Sequence, residues 1–188
     1  MDLRKRTDRV RKTLRSLYPE VNPQLYYRSP FELLVATILS AQCTDQQVNR
    51  VTPTLFDTFR SPQEFAKASR KRIEELIRPT GFFRNKARSI QNCATALLAH
   101  HAGKVPDNLE ELVKLPGVGR KTANVVLGAA FGEPGIVVDT HVGRISRRLE
   151  LTRNTDPVKV ELDLMQIVPR SDWSDFSLRL IFFGRQYC

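Results

Sequence analysis

Leu115-Pro-Gly-Val-Gly-Arg-Lys-Thr-Ala-Asn-Val-Val126 is a tight turn between two stretches of helical pattern. Its two glycines, two positions apart, are free to take positive φ and leave backbone N–H groups uncovered. A helix from Thr122 to Phe131 follows, so the positive end of its dipole faces the turn. Such a turn is an anion site, suited to a phosphate. A bare Pro-Gly-x-Gly turn is also a common joint between helices. What sets this one apart is that Arg120 and Lys121 follow it at once in a basic chain.

Working outward, nearly every segment repeats its apolar residues with helical period, and no run alternates as a half-buried strand would. Val10, Leu14 and Leu17 stripe a first basic helix. Phe31, Leu34, Val35, Ile38 and Leu39 stripe a second, strongly amphipathic one that buries one face. Ser40-Ala-Gln-Cys-Thr-Asp45 is a polar turn, after which Thr44 and Gln47 cap a helix carrying Val48, Val51 and Leu55. Ser61-Pro-Gln-Glu64 is a helix start, Ser69 opens a segment with Ile73 and Ile77, and Asn85 caps another ending near Gly103. Asp107-Asn-Leu-Glu110 caps a helix reaching Lys114. Asp139 starts one through Val142 and Ile145 whose outer side carries Arg144, Arg147 and Arg148. Ile136-Val-Val138 is too short to argue a sheet and is expected to be a buried connector. Asp156-Pro157 starts a helix to Val168, and residues 174–183 are apolar nearly all round. The fold class is all-α.

The 188 residues suffice for a hydrophobic core. The apolar fraction of 41% is ordinary. No run approaches the roughly 18–20 apolar residues a membrane helix needs, so no membrane partner is expected. Thirty Lys and Arg against twenty Asp and Glu give a formal charge of +10, which favours a polyanionic partner such as nucleic acid. Cys43, Cys93 and Cys188 form neither a disulfide framework nor a zinc pattern, and the N-terminus lacks the apolar core of a secretory signal. These features place the protein in a reducing cytoplasm.

Residues 115–126, followed by Val138-Asp-Thr-His141, resemble the helix-hairpin-helix DNA glycosylases, and among them the bacterial endonuclease III family. The resemblance extends from about Ser29-Pro-Phe-Glu-Leu-Leu34 to Phe183-Gly-Arg-Gln-Tyr-Cys188, through Ser40-Ala-Gln-Cys-Thr-Asp45 and Gly81-Phe-Phe-Arg-Asn-Lys86. It implies two helical lobes: a six-helix barrel at 23–133 containing the helix-hairpin-helix at about 108–131, and a second lobe from 1–22 and 134–188. It further implies a monomer acting on damaged double-stranded DNA at the bacterial nucleoid, with DNA across the cleft between the lobes.

The implied activity is base excision repair: glycosylase and AP lyase on oxidised pyrimidines. Lys121 would attack the sugar C1′ and expel the base as a Schiff base forms, and β-elimination would then release the 3′ phosphate. That requires a neutral amine, whereas a free lysine titrates at about 10.4, so burial or positive neighbours such as Arg120 must lower it. Asp139 would take a proton from Lys121 or stabilise charge on the sugar; an aspartate before an apolar-periodic run is equally a helix N-cap. The damaged nucleotide must leave the stack. Gln42 matches the residue inserted into the duplex, and Phe82 or Phe83 is a candidate wedge from the opposite strand side, although aromatics near helix ends commonly belong to the core. Gly117, Gly119, Arg120, His141 and Arg144 complete the implied DNA contacts. For His141 a surface or capping role is as good an account, and His100 and His101 suit a helix C-terminus.

Cys188 matches the first ligand of the family's four-iron, four-sulfur (4Fe-4S) cluster, whose other three cysteines are absent. Cys43 and Cys93 fit small buried positions and lie at no ligand spacing. A truncated parent that binds the cluster is expected, and this chain is not expected to assemble it. The resemblance also implies a monovalent cation at the hairpin. Two rivals are an adenine-mismatch glycosylase, which shares the aspartate and characteristically lacks the lysine, and a non-catalytic DNA-binding module that uses only the hairpin.

Overall fold

The computed structural model describes residues 2–188, which form helices and connectors with no strand. In chain order the helices are α1 (Leu3–Leu17), α2 (Pro30–Leu39), α3 (Asp45–Thr58), α4 (Pro62–Lys67), α5 (Arg70–Ile77), α6 (Phe83–His101), α7 (Leu109–Leu112), α8 (Arg120–Phe131), α9 (Thr140–Arg148), α10 (Pro157–Ile167) and α11 (Trp173–Tyr187). They divide into two compact units, one of Gln24–Phe131 and one of Met1–Pro23 with Gly132–Cys188.

Local chemistry sets most helix starts in the first unit. The Ser29 hydroxyl accepts from the Glu32 N–H at 3.2 Å. In return the Glu32 carboxylate accepts from the Arg28 N–H at 2.7 Å. Pro30 supplies the first turn, completing a reciprocal cap. Ser61 caps α4 in the same way, and at α3 the Thr44 hydroxyl accepts from the Gln47 N–H at 3.2 Å. The core is centred on α2, whose residues from Phe31 to Leu39 are all buried. α2 is thus covered on every side, not amphipathic with one exposed face, because α3, α6 and α8 all pack on it. Phe65 of α4 is fully buried and meets Phe31 and Phe59 with ring centroids 5.4 and 5.2 Å apart.

Three boundaries differ from the sequence pattern, and the first is that of α8, which begins at Arg120, two residues before Thr122, because the Gly119 carbonyl already accepts its first helical bond. α6 begins at Phe83, so Asn85 lies inside the helix and not at its cap, because Gly81 and Phe82 turn the chain two residues earlier. α7 is a single turn capped by the Asn108 side chain, which accepts from Glu111 N–H at 2.9 Å, and it stops at Leu112 short of Lys114.

The second unit closes on Leu14, Ile136, Val138, Val142, Ile145, Leu164, Phe176 and Leu180. Val10 packs on this core but Leu17, in the last turn of α1, is exposed. In α11 the buried Arg179 donates to the Tyr18 and Pro19 carbonyls at 2.9 and 3.2 Å and to Asp175 at 3.0 Å, fastening the end of α1. Asp172 receives Arg11 Nε at 2.9 Å and pairs with Arg15 at 3.2 Å.

Burial works against the Asp172 charge, but the Arg11 hydrogen bond and the charges of Arg11, Arg15 and Arg179 outweigh it and hold the carboxyl below its ordinary range. A depressed folded-state pKa contributes stability above the unfolded value and loses it as pH falls through the folded value. Asp172→Asn should therefore lower stability by about 1–3 kcal/mol at neutral pH. In denaturant titrations the gap to the wild type should narrow below about pH 4; a gap that stays constant to lower pH would show that the charge contributes nothing.

Candidate functional site

The turn between α7 and α8 is anchored by two apolar side chains. Leu115 and Val118 are both buried, and the Val118 N–H donates to the Leu115 carbonyl at 3.1 Å. Between them Gly117 has φ +80°, and a Cβ built there would lie 2.7 Å from Ser89 Cβ on α6. Gly117 is required twice over, by its left-handed backbone and by its approach to α6. Gly119 differs: its φ is not positive and its Cβ position is open, so the expectation that both glycines turn left-handed holds only for Gly117. The Gly119 carbonyl accepts from the Ala123 N–H at 3.0 Å, the first bond of α8, and nothing lies within 4 Å of a Cβ built at Gly119. Lys121 is exposed on that first turn and Arg120 is half-buried.

Three segments far apart in sequence meet at a cavity of about 260 Å³ in this unit. Its lining includes Gln42 from the α2–α3 turn, Phe82 and Lys86 from the start of α6, Ser89 and Gly117. Gln42 and Phe82 both have left-handed backbones, with φ +52° and +47°. Gln42 is exposed. Phe82 is exposed to 64%. Phe83 is instead half-buried against the core, with the guanidinium groups of Arg78 and Arg84 at 5.9 and 5.2 Å from its ring centre. Of the two candidate wedges, the structure therefore leaves Phe82 available and uses Phe83 for packing. Sequence reasoning passed over Lys86, which is 5% exposed, and Ser89. The only signal for Lys86 was its place after Gly81-Phe-Phe; Ser89 carried none.

The other unit holds the remaining candidates. Asp139 caps α9, its carboxylate accepting from the Val142 N–H at 2.8 Å, and is half-buried. His141 follows in the first turn, where its Nδ1 accepts from Arg144 at 3.1 Å, since a guanidinium only donates. The His141 ring lies against α11 at Gly184, where a Cβ would come within 2.6 Å of Nδ1. Gly184 was also missed, although a glycine inside an apolar helical run signals close approach. Cys188 is exposed at the end of α11, with the Arg148 guanidinium 3.7 Å from its sulfur. Cys93 is buried, and burial pushes its thiol up to about 12, a value at which it stays protonated and inert. Cys43 is half-exposed, not buried as its size suggested. A larger cavity of about 850 Å³ in this unit contains Arg6, Arg147 and Arg153 and none of the candidate site residues.

Residues 35–170 match the family model described as HhH-GPD superfamily base excision DNA repair protein. Over 176 residues the chain is 53% identical to endonuclease III of Synechocystis sp., covering 93% of this chain and 80% of the relative. It is 49% identical to endonuclease III of Bacillus subtilis, with 92% and 79% covered. A solved structure described as a trapped endonuclease III–DNA covalent intermediate, in an estranged-adenine complex, superposes with a TM-score of 0.96 at 45% identity, covering all of this chain and 89% of that one.

The two hairpin glycines should separate cleanly under substitution. Gly117→Ala meets Ser89 and must hold an unfavourable φ, so it should lower stability by about 2–4 kcal/mol. Gly119→Ala should change it by less than about 1 kcal/mol. Parallel denaturant melts measure both, and equal losses would overturn the asymmetry.

Proposed function

The chain belongs to the HhH-GPD superfamily of base excision DNA repair proteins, and we propose that it excises oxidised pyrimidines from duplex DNA and cleaves the resulting strand through the amine of Lys121. The observation that carries this reading is the position of Lys121. It is exposed on the first turn of α8, directly after the Gly117–Gly119 turn, where the positive end of the helix dipole suits a DNA phosphate. A phosphate seated there fixes the backbone next to the lysine without selecting sequence. The neutral Nζ lone pair attacks C1′, the bond from C1′ to the base breaks, and the base leaves with the electron pair and a proton. The attached nitrogen gives up a proton, and the C1′–O4′ bond breaks with O4′ taking the electron pair and a proton. The C1′=N Schiff base so formed acidifies the C2′ proton, whose removal breaks the C3′–O bond and expels the 3′ phosphate.

Asp139 supports the step as proton acceptor or as counter-charge to the sugar, and its capping bond to Val142 fixes its orientation. The same residue serves both structure and chemistry. Gln42 and Phe82 fill the space left by the extruded nucleotide, a role supported by their exposure on the rim of one cavity. His141 and Arg144 contact the DNA backbone from α9, supported by their mutual hydrogen bond and the platform at Gly184. A formal charge of +10 favours DNA association in a salt-dependent manner. Action on bacterial DNA at the nucleoid fits the bacterial relatives; among the described residues no helix is long and apolar enough to cross a membrane.

The endonuclease III family carries a 4Fe-4S cluster. Four thiolates hold such a cluster, and the residues present do not fit it. Cys188 is the one cysteine of its unit, Cys43 and Cys93 belong to the other, and no group of three metal-binding side chains occurs among the described residues. No step of the reaction is assigned to a cluster.

Borohydride reduction in the presence of duplex DNA with a thymine glycol or abasic site should join wild-type chain covalently to the strand. Lys121→Ala should give no adduct, and an adduct that persists would exclude Lys121 as nucleophile. Asp139→Asn should slow base release by roughly 10²-fold or more, while a melt confirms that α9 retains its cap.

A further inference from the structure

A buried lysine sits directly behind the proposed wedge. Lys86, 5% exposed in the first turn of α6, donates from its ammonium to the Thr80 carbonyl at 2.7 Å. Its backbone N–H donates to the Phe82 carbonyl at 3.1 Å. One residue therefore holds both ends of the Gly81–Phe82 step, the carbonyl before it and the carbonyl that closes it. That step is strained. Gly81 has φ 68° and ψ 161°, a region essentially restricted to glycine. Phe82 has φ 47° and ψ 26°, unfavourable for a bulky side chain.

Thr80 itself is fixed from behind, 2% exposed with its hydroxyl donating to the Ile77 carbonyl at 2.8 Å. Desolvation lowers the Lys86 pKa, as expected for a charge taken from water. For stability alone a methionine of similar length would serve such a position as well or better. At 5% exposure the amine is no surface cation for a phosphate, and its partner is the loop carbonyl.

We propose that Lys86 is a positioning residue for base excision: by holding the Thr80 carbonyl it locks the Gly81–Phe82 step, so that Phe82 stands exposed beside Gln42 on the cavity rim, ready to enter the duplex. This rests on the assignment of Phe82 as a duplex-inserting residue. It names a specific route, in which Lys86 acts only through the placement of Phe82. Mutations that act through one element are non-additive, whereas independent effects multiply.

The test is a double-mutant cycle of Lys86→Met and Phe82→Ala, read as single-turnover excision from a duplex with thymine glycol opposite adenine. Lys86→Met removes the donor and should slow excision roughly tenfold, the size of one lost charge-assisted hydrogen bond. The double variant should be no slower than Phe82→Ala alone. Gly81→Ala strains the same step from the backbone into open space, with no atom within 4 Å, and should reproduce the loss with Lys86 intact. It keeps the route testable where Lys86→Met folds poorly. Multiplying effects in the cycle, or a fast Gly81→Ala, would overturn the positioning role while leaving the wedge in place. A Phe82→Ala variant as fast as wild type would overturn the wedge itself and the proposal with it.

Discussion

The contact between the Gly117 backbone and Ser89 sets the geometry of the first unit's site. A left-handed residue whose absent Cβ would come within 2.7 Å of α6 lets the turn after α7 lie directly on that helix. Buried Leu115 and Val118 hold the approach from either side. Because the turn is pinned, α8 starts at a defined place, with Arg120 and Lys121 on its first turn and open space at Gly119. The same approach brings Gly117 to the wall of the cavity that Gln42 and Phe82 overlook. The turn and the cavity rim thus depend on one steric condition, met by the one residue type without a side chain.

Capping residues, turn glycines and prolines act within a few residues of themselves, which is why most helix starts were legible in the sequence. Ser29-Pro30, Thr44, Ser61-Pro62, Asp139 and Asp156-Pro157 all mark starts that the structure contains. What local pattern does not carry is tertiary. The stripe on α2 looked one-sided, but polar Glu32 and Thr37 are buried as well, Glu32 through its bonds to Arg28 and Thr37 through its hydroxyl bond to the Leu33 carbonyl at 2.7 Å. Asn85 has the composition of a cap and lies inside α6, because Gly81 and Phe82 had already turned the chain into the helix. The glycine pair looked equivalent, and the left-handed backbone of Gly117 together with its contact with Ser89 distinguishes its members.

The candidate site was legible to the extent that its residues stand in contiguous motifs. Lys121 and Asp139 lie in short runs whose spacing carries the resemblance, and Gln42 lies in a polar turn between two helical patterns. Lys86 and Gly184 were not legible because their roles are relations between segments: an ammonium bonded to a carbonyl six residues back, and a gap in α11 that fits the ring of His141. In sequence Lys86 is one helical lysine in a basic chain, and Gly184 signals a close approach without saying to which residue.

Backbone strain separates function from helix termination in this molecule. Among the described residues four besides glycine have positive φ: Gln42, Phe82, Ala102 and Glu150. Ala102 and Glu150 follow α6 and α9, where a left-handed residue satisfies the last carbonyls as helices commonly end. Gln42 lies shortly past the end of α2 and has part of the same excuse. Phe82 comes just after the short 3-10 turn Arg78–Thr80, but Gly81 already caps that turn with its own positive φ, and Phe82 stands before α6, at a position where extended backbone is the usual choice. A large aromatic residue held there, mostly exposed and braced by a buried charge, is poorly explained by the stability of α6. Its strain and exposure set it apart from the helix-ending residues and fit the proposed role of a ring that stands outside the fold to meet a partner.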